Sequence, residues 1–508
     1  MDLGEFITTL AGTGSDYWIT RFVFQRALGL TYLLAFLAVI NQFKPLLGER
    51  GLLPVPRYVK ATSFWESPSI FHFAPNDGAF TALGYLGLAL AVLATAGVSE
   101  RFGTGISAAI WALMWVIYLS FVNVGQVFYA FGWESILLET GFTAIFLGAN
   151  DTTPSVLTIF LLRWILFRVM FGAGLIKLRG DPCWKKLTCL FYHYETQPIP
   201  NPLSWAFHHA PRWFHRLGVL YNHFVELVVP FVYFFMQPLA AIAGILTLIF
   251  HGILFVSGNY AFLGFLTMVL AISAFHDSLL ARIIPITPPE TFPISPLHQY
   301  AIWAFTALVA VLSVPVIFNL FSPRQAMNLK FNPFHLVNTY GAFGGVTKKR
   351  YEVVVEATMD EQIGGNTEWK AYEFKAKPTD VRRIPPQVAP YHLRLDWLMW
   401  FEGIHAGAAY ERGGVYFPSR WFIHLLVKFL KADRDTLQLI KHAPFGTEKP
   451  RFVRALLYHY RFTSPKERAE TGAIWKRDLK DIYIPPTTLK IHHPGAMQPA
   501  GAGSSGLT

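Results

Sequence analysis

FVFQRALGLTYLLAFLAVI, residues 22–40, is apolar from end to end apart from Gln25, Arg26 and a few small hydroxyls. A helix needs about 20 such residues to cross the roughly 30 Å hydrocarbon layer of a bilayer. Soluble core helices are shorter and carry a polar face. This stretch therefore reads as a membrane span, and similar stretches recur. They cover residues 79–97, 106–124, 134–147, 157–176, 217–235, 239–256, 262–275 and 300–318. About nine spans are expected, with 134–147 among the short ones that suit a re-entrant or interfacial position.

Composition agrees. The 508-residue chain is 53% hydrophobic and only 15% charged, against about 25% charge in ordinary globular chains. The net charge of +11 fits loops that face anionic headgroups. No nucleic-acid motif accompanies it, so nucleic acid is not an expected partner. The sequence has no P-loop, no GxGxxG and no HExxH. No cofactor and no metal are expected.

Beyond residue 321 the pattern changes. YEVVVEAT (351–358) and WKAYEFK (369–375) are strand-like and flank a turn-rich stretch, which is a hairpin signal. NTYGAFG (338–344) is a candidate third strand. Residues 397–401 and 422–430 read as short helices, and 452–462 mixes large apolar residues with Arg454, His459 and Arg461. The expected architecture is a polytopic α-helical membrane bundle with a C-terminal extramembrane α+β domain. Residues 1–21 form an N-terminal segment, 22–320 the membrane domain including a structured loop at 177–216, 321–494 the extramembrane domain, and 495–508 a disordered tail.

Ionisable residues inside spans are costly and face the bundle interior. With the polar Asn222 they are Arg21, Arg26, Glu134, Glu139, Arg163, Arg168, His223, Glu226 and His251. Asn222 and Glu226 stand four apart and share a helix face. An economical pairing sets Glu134 or Glu139 against Arg163 or Arg168, and Glu226 against Lys177 or an arginine. Two readings stay open: structural ion pairs, or a polar cavity that binds or transforms a ligand. Lys177, at the end of FGAGLIKL, either snorkels to the interface or is a desolvated catalytic base.

The loop after Lys177 holds both cysteines. Cys183 and Cys189 stand six apart, unlike the CxxC of thioredoxin-type motifs. A structural disulfide, buried thiols and redox exchange all remain open. Zinc binding through Cys183, Cys189, His193 and His208 matches no standard spacing. Tyr192, Tyr194, Trp205, Phe207, Trp213 and Phe214 suggest an interfacial belt, stiffened by Pro198, Pro200 and Pro202. Such a loop is either a lid on the bundle or a platform for the C-terminal domain.

Long phrases of the chain resemble the lipase maturation factor family. They include TRFVFQRALGLTYLLAFLAVINQFKPLLGERGLLPVPR (20–57), GQVFYAFGWESILLETGF (125–142), the whole of 167–216, YNHFVELVVPF (221–231), NPFHLVNTYGAFGGVTKKRYEVVVE (332–356), APYHLRLDWLMWF (389–401) and VRALLYHYRFT (453–463). The resemblance implies a chaperone-like, non-enzymatic membrane protein. It would assist folding, assembly or export of secreted lipases or other exported proteins, with an exported client and membrane lipid as partners. Animal members reside in the endoplasmic reticulum membrane with the C-terminal region in the lumen. The chain's length and short loops suit a bacterial member in the inner membrane. Charge gives the opposite sidedness: Lys44, Arg50, Arg57, Lys60, Lys177, Arg179, Lys185, Lys186, Arg212 and Arg216 lie on one side, which the positive-inside rule assigns to the cytoplasm. The family topology is preferred.

AGLIKL followed by Trp184 is also similar to the signature of vitamin K-dependent γ-carboxylase-like, HTTM-like membrane domains. That resemblance places Lys177 at the position of a base acting on a quinone, with Ile176 where the family has a first lysine. A membrane enzyme using Lys177 on a quinone or lipid substrate is the alternative function, and a lipid or quinone transporter a third class.

Overall fold

The computed structural model describes residues 14–489. The expected disordered tail (495–508) and most of the N-terminal segment lie outside the described residues. The chain opens with α1 (Trp18–Leu47), then a short α2 (Val55–Ala61), α3 (Asp77–Thr95), α4 (Thr104–Val124), α5 (Gly132–Ala144) and α6 (Val156–Arg179). A loop with three short helices leads to α7 (Arg212–Leu227), α8 (Leu239–Ser257), α9 (Leu263–Ala271) and α10 (Pro296–Phe321).

Six of these are long and apolar enough to cross a membrane among the described residues: α1, α3, α4, α6, α8 and α10. Three of the nine expected stretches fall outside that set. α5 has 13 residues, about 20 Å at 1.5 Å per residue and short of the hydrocarbon layer. The stretch at 217–235 breaks after Leu227 and resumes as the turn Val229–Val232 around Pro230. α9 tightens into a 3-10 turn at Ile272–Ala274. These short helices carry Glu134, Glu139, Asn222 and Glu226, all buried, so polar pairing inside the bundle takes the place of apolar length.

Glycines set the closest approaches. A Cβ on Gly87 of α3 would lie 2.3 Å from the Phe36 ring of α1. One on Gly172 of α6 would lie 2.3 Å from the carbonyl oxygen of Tyr340. The second contact explains a correction. Residues 338–344 are an extended coil pressed against α6, not a third strand. Asn338 and Tyr340 donate to Glu139 of α5, and Arg168 of α6 donates to Asn338 O.

The extramembrane part is a four-stranded antiparallel sheet in the order β2-β1-β3-β4. The strands are β1 (Arg350–Thr358), β2 (Lys370–Ala371), β3 (Phe452–Phe462) and β4 (Trp475–Thr487). Between β2 and β3 run α11 (Arg394–Glu411) and α12 (Arg420–Leu430). Gly403 and Gly407 bring α11 onto Tyr351 of β1, and Phe429 of α12 stacks on Tyr372 at 4.0 Å. β1 is buried along its whole length. The expected hairpin partner at 369–375 shrinks to two paired residues, because Glu373 turns away to bridge His442.

This domain is clamped to one end of the bundle. Asn259 donates to Pro386 O (2.9 Å) and Pro200 O (3.1 Å) and accepts from the N–H groups of Val388 and Ala389. Gln42 of α1 donates to His392 O at 2.6 Å and accepts from the Arg394 N–H. The loop at 177–216 forms the bracket. Arg350 donates to the carbonyls of Glu195, Gln197 and Pro198, Trp205 donates to Thr463 O at 2.8 Å, and Trp400 donates to Thr196 O. Trp205 is spent in this seam, while Tyr194 and Phe207 stack on each other within the bracket. Only Trp213 and Phe214 of the expected aromatic belt are exposed.

Candidate functional site

Two carboxylates inside the bundle meet two cations on α6, nine residues apart. Arg168 forms a bidentate pair with Glu139 of α5, with Nη1 at 3.2 Å from Oε2 and Nη2 on Oε1. Glu139 Oε2 also accepts from the backbone and side-chain N–H groups of Asn338 and from the Tyr340 hydroxyl (2.6 Å). Glu139 thus holds both an intrabundle pair and the incoming coil. A narrow apolar crevice beside it is lined by Leu161, Ile165, Phe305 and Val309.

At the other corner Lys177 Nζ donates to Glu226 Oε1 at 2.5 Å, under the Trp184 ring at 5.0 Å. Both side chains are buried. Around them, Glu226 Oε2, Asn222 Oδ1, His223 Nδ1 and His251 Nδ1 are buried without a hydrogen-bond partner. His223 Nε2 meets Trp184 O at 3.2 Å and His251 Nε2 meets Met170 Sδ at 3.3 Å. Lys177 therefore stands as a donor within an ion pair. A base on a quinone needs that nitrogen free to accept a proton.

The remaining candidates disperse. Glu134 meets neither Arg163 nor Arg168; of the expected alternatives, Glu139 takes Arg168. Glu134 Oε1 pairs with Arg394 of α11 at 2.7 Å, and Tyr118 donates to Oε2. Arg394 lies over the Tyr129 ring at 3.5 Å. Arg163 is held by carbonyls and a hydroxyl: Ser273 O at 2.8 Å, Tyr233 O at 3.1 Å and Tyr17 OH at 3.2 Å. Arg21 donates to Thr152 O at 2.7 Å. Arg26 pairs with Glu100 at 3.2 Å.

Cys183 and Cys189 are joined as a disulfide with Cα atoms 4.8 Å apart, so neither thiolate is free for zinc. Among the described residues no cluster of three or more His, Cys, Asp or Glu is arranged to hold a metal. In the bracket, burial pushes His193 and His208 down to about 4 and raises Glu195. In the domain, burial pushes Asp396 up to about 6 and Lys377 down to about 8. His392, buried beside Arg394, is held at about 4.

Sequence reasoning missed Gln42, Tyr118, Asn338, Tyr340 and Arg394. All but Tyr118, which lies 16 residues from Glu134, supply a partner from far along the chain, and none carries a local signal beyond a polar group in an apolar phrase.

The family model for the lipase maturation factor transmembrane domain matches residues 19–282, and that for the lipase maturation factor C-terminal domain matches 336–485. The chain belongs to the lipase maturation factor family. It is 40% identical to human lipase maturation factor 1 over 518 residues, covering 94% of this chain and 89% of the relative. The Bos taurus protein of that name is also 40% identical, over 94% of this chain and 90% of its own length. Lipase maturation factor 2 of Rattus norvegicus is 28% identical over 92% and 83%. No solved structure matches. The two matched regions of this lipase maturation factor family member meet at Glu134–Arg394, at Gln42–Arg394 and at Asn259.

Proposed function

We propose that the chain assists the folding, assembly or export of a secreted lipase or another exported protein, and does so without catalysing a reaction. The relatives' shared name supports a lipase client. The observation that carries the reading to a surface is the loop between α11 and α12. Val415 and Phe417 there are 83% and 82% exposed. Tyr416 between them anchors the loop, its hydroxyl 3.3 Å from His405 Nδ1 and its ring stacked on Tyr483. A fixed loop that holds two apolar side chains in solvent suits capture of apolar surface on an incompletely assembled client.

The sidedness proposed is that of the family: bracket and domain in the lumen of the endoplasmic reticulum, or in the periplasm if the source is bacterial. The buried disulfide supports an oxidising compartment against the charge rule. Nine crossings also remain the proposal for topology. α5 supports it by starting at Arg394 and ending near Leu147, whose carbonyl binds Arg21 at the start of α1.

The test is Val415→Ser/Phe417→Ser in cells whose own copy of the gene is deleted. The variant should fold and reach the membrane normally, yet lose copurification with the lipase and most of the secreted lipase activity per lipase molecule. Full secreted activity after deletion of the gene itself would end the maturation reading.

A further inference from the structure

Residues 48–76, between α1 and α3, carry features that the client reading does not use. Their depth is fixed by the ends of two spans. Ser67 Oγ donates to Asn123 O at 2.8 Å, and Asn123 Nδ2 returns a bond to Pro68 O at 2.9 Å. Ser69 Oγ donates to Ser120 O at 2.9 Å. Asn123 and Ser120 lie in the last turns of α4. At the other end, Asp77 opens α3 and accepts from the Glu49 N–H at 2.9 Å. The segment is thus pinned where the apolar stretches of α3 and α4 meet the headgroups.

From that level two aromatic rings project. Trp65 is 77% exposed and Phe73 80% exposed. Phe64 touches both, with ring centroids 5.3 Å from Trp65 and 5.7 Å from Phe73, so the three form one cluster. Trp65 is two residues from Ser67, a reach of at most about 7 Å, so it cannot leave the headgroup layer. In water, so large an apolar tip would be unfavourable. At the boundary between acyl chains and headgroups it is the preferred arrangement.

Charge selects the kind of lipid. Arg50, Arg57 and Lys60 are exposed, and among the described residues their side chains have no ion-pair, hydrogen-bond or ring partner. The segment's two acids keep their charge while they cap backbone, Glu49 accepting from the Asp77 N–H and Glu66 from the Ser63 N–H, so its three cations leave it net positive. Three unpaired cations in the same short segment as an aromatic cluster at headgroup depth match a negatively charged lipid surface.

We propose that residues 48–76 are an interfacial anchor for anionic phospholipid, in which the Phe64–Trp65–Phe73 cluster enters the headgroup boundary and Arg50, Arg57 and Lys60 hold lipid phosphates. The anchor lies beside the extramembrane domain, since Leu52 O meets His424 Nδ1 of α12 at 2.5 Å. It fixes which lipid surrounds that end of the bundle.

The full chain is placed in nanodiscs of phosphatidylcholine alone or mixed with phosphatidylglycerol, with a photoreactive benzophenone side chain in place of Trp65. Crosslinks should go to lipid and favour phosphatidylglycerol. Arg50→Gln/Arg57→Gln/Lys60→Gln should lower that preference at least about tenfold, and raised salt should lower it in the unaltered cations. Lys431→Gln/Arg434→Gln, exposed on the domain, should leave it unchanged. An unchanged preference in the triple variant overturns the proposal. So do crosslinks to polypeptide only, which would make the segment a protein-docking surface. If the triple variant does not fold, the salt series decides: a preference insensitive to salt overturns the proposal. None of these readouts involves a lipase, so failure here leaves the maturation reading standing, and the reverse also holds.

Discussion

Glu139 and Glu226 are both buried carboxylates facing a cation on α6, yet they differ in completion. Glu139 uses both oxygens, on Arg168, Asn338 and Tyr340. Glu226 uses one, on Lys177, and leaves the other unpartnered beside Asn222, His223 and His251. A carboxylate in low dielectric is tolerated in proportion to the donors that surround it. The first corner therefore fastens the extramembrane segment into the bundle. The second is an ion pair with spare acceptors, and it is the place where a change can be absorbed.

The largest effect should come from Glu139→Leu. It removes one partner of a buried pair and the acceptor of the coil at 338–340, and should lower stability by about 3–5 kcal/mol. Thermal unfolding of the purified chain in lipid measures this. Adding Arg168→Met should recover only part, because Asn338 and Tyr340 still lack their acceptor. Full recovery would break the contrast between the corners.

At the other corner, Lys177→Met alone should cost about 3 kcal/mol, whereas Lys177→Met/Glu226→Leu should return to within about 1 kcal/mol of the parent. Client maturation should survive in the double variant. A stable double variant that has lost maturation would turn this corner from a structural pair into a working site. The disulfide beside it is worth less: Cys183→Ser/Cys189→Ser opens a short loop and should cost about 2 kcal/mol, read as a lower unfolding midpoint without loss of the domain's sheet.

The smallest effect concerns a second incomplete carboxylate. Asp396 accepts from the Ala376 N–H but leaves Oδ2 unpartnered, and burial raises it from 3.8 to about 6. The folded chain then binds this proton more tightly than the unfolded chain does. Stability falls as pH rises through the window from about 4 to 6. Asp396→Asn should remove that slope and raise stability at pH 7 by the order of 1–2 kcal/mol, with no gain at pH 4. His392, held at about 4, acts oppositely: it loses stability as pH falls from about 6.5 to 4. The comparison must therefore be the difference between parent and variant at each pH.

How much of this was legible in the sequence depended on range. The six long spans and β1 follow from local apolar pattern, whereas β3 at 452–462 reads in sequence only as a mix of large apolar and basic residues. β4 was not anticipated, because WKRDLKDIYIPPT is an edge strand with charge on both faces and register shifts at three places. Its alternation is broken where no core demands it. The coil at 338–344 looked like a strand because it is apolar and aromatic, but its backbone found side-chain partners on α5 and a glycine-lined groove on α6 instead. In the candidate site, the acids and bases were identifiable as residues too polar for their surroundings. Glu226 with Lys177 and Glu139 with Arg168 fell within the expected pairings; Glu134 with Arg394 did not, since its partner lies 260 residues away.

Sequence by itself determined that this chain crosses a membrane many times, carries an α+β domain beyond the bundle, and belongs with the lipase maturation factors. Apolar length, alternation and long literal phrases are properties of contiguous residues. Only the tertiary structure decided which buried charge meets which, that three expected spans are shorter helices, two of them carrying buried carboxylates, and that the domain is locked to the bundle through Gln42, Glu134 and Asn259. Those outcomes rest on desolvation, which leaves each buried polar group to whichever partner the packed chain brings within reach, however distant in sequence.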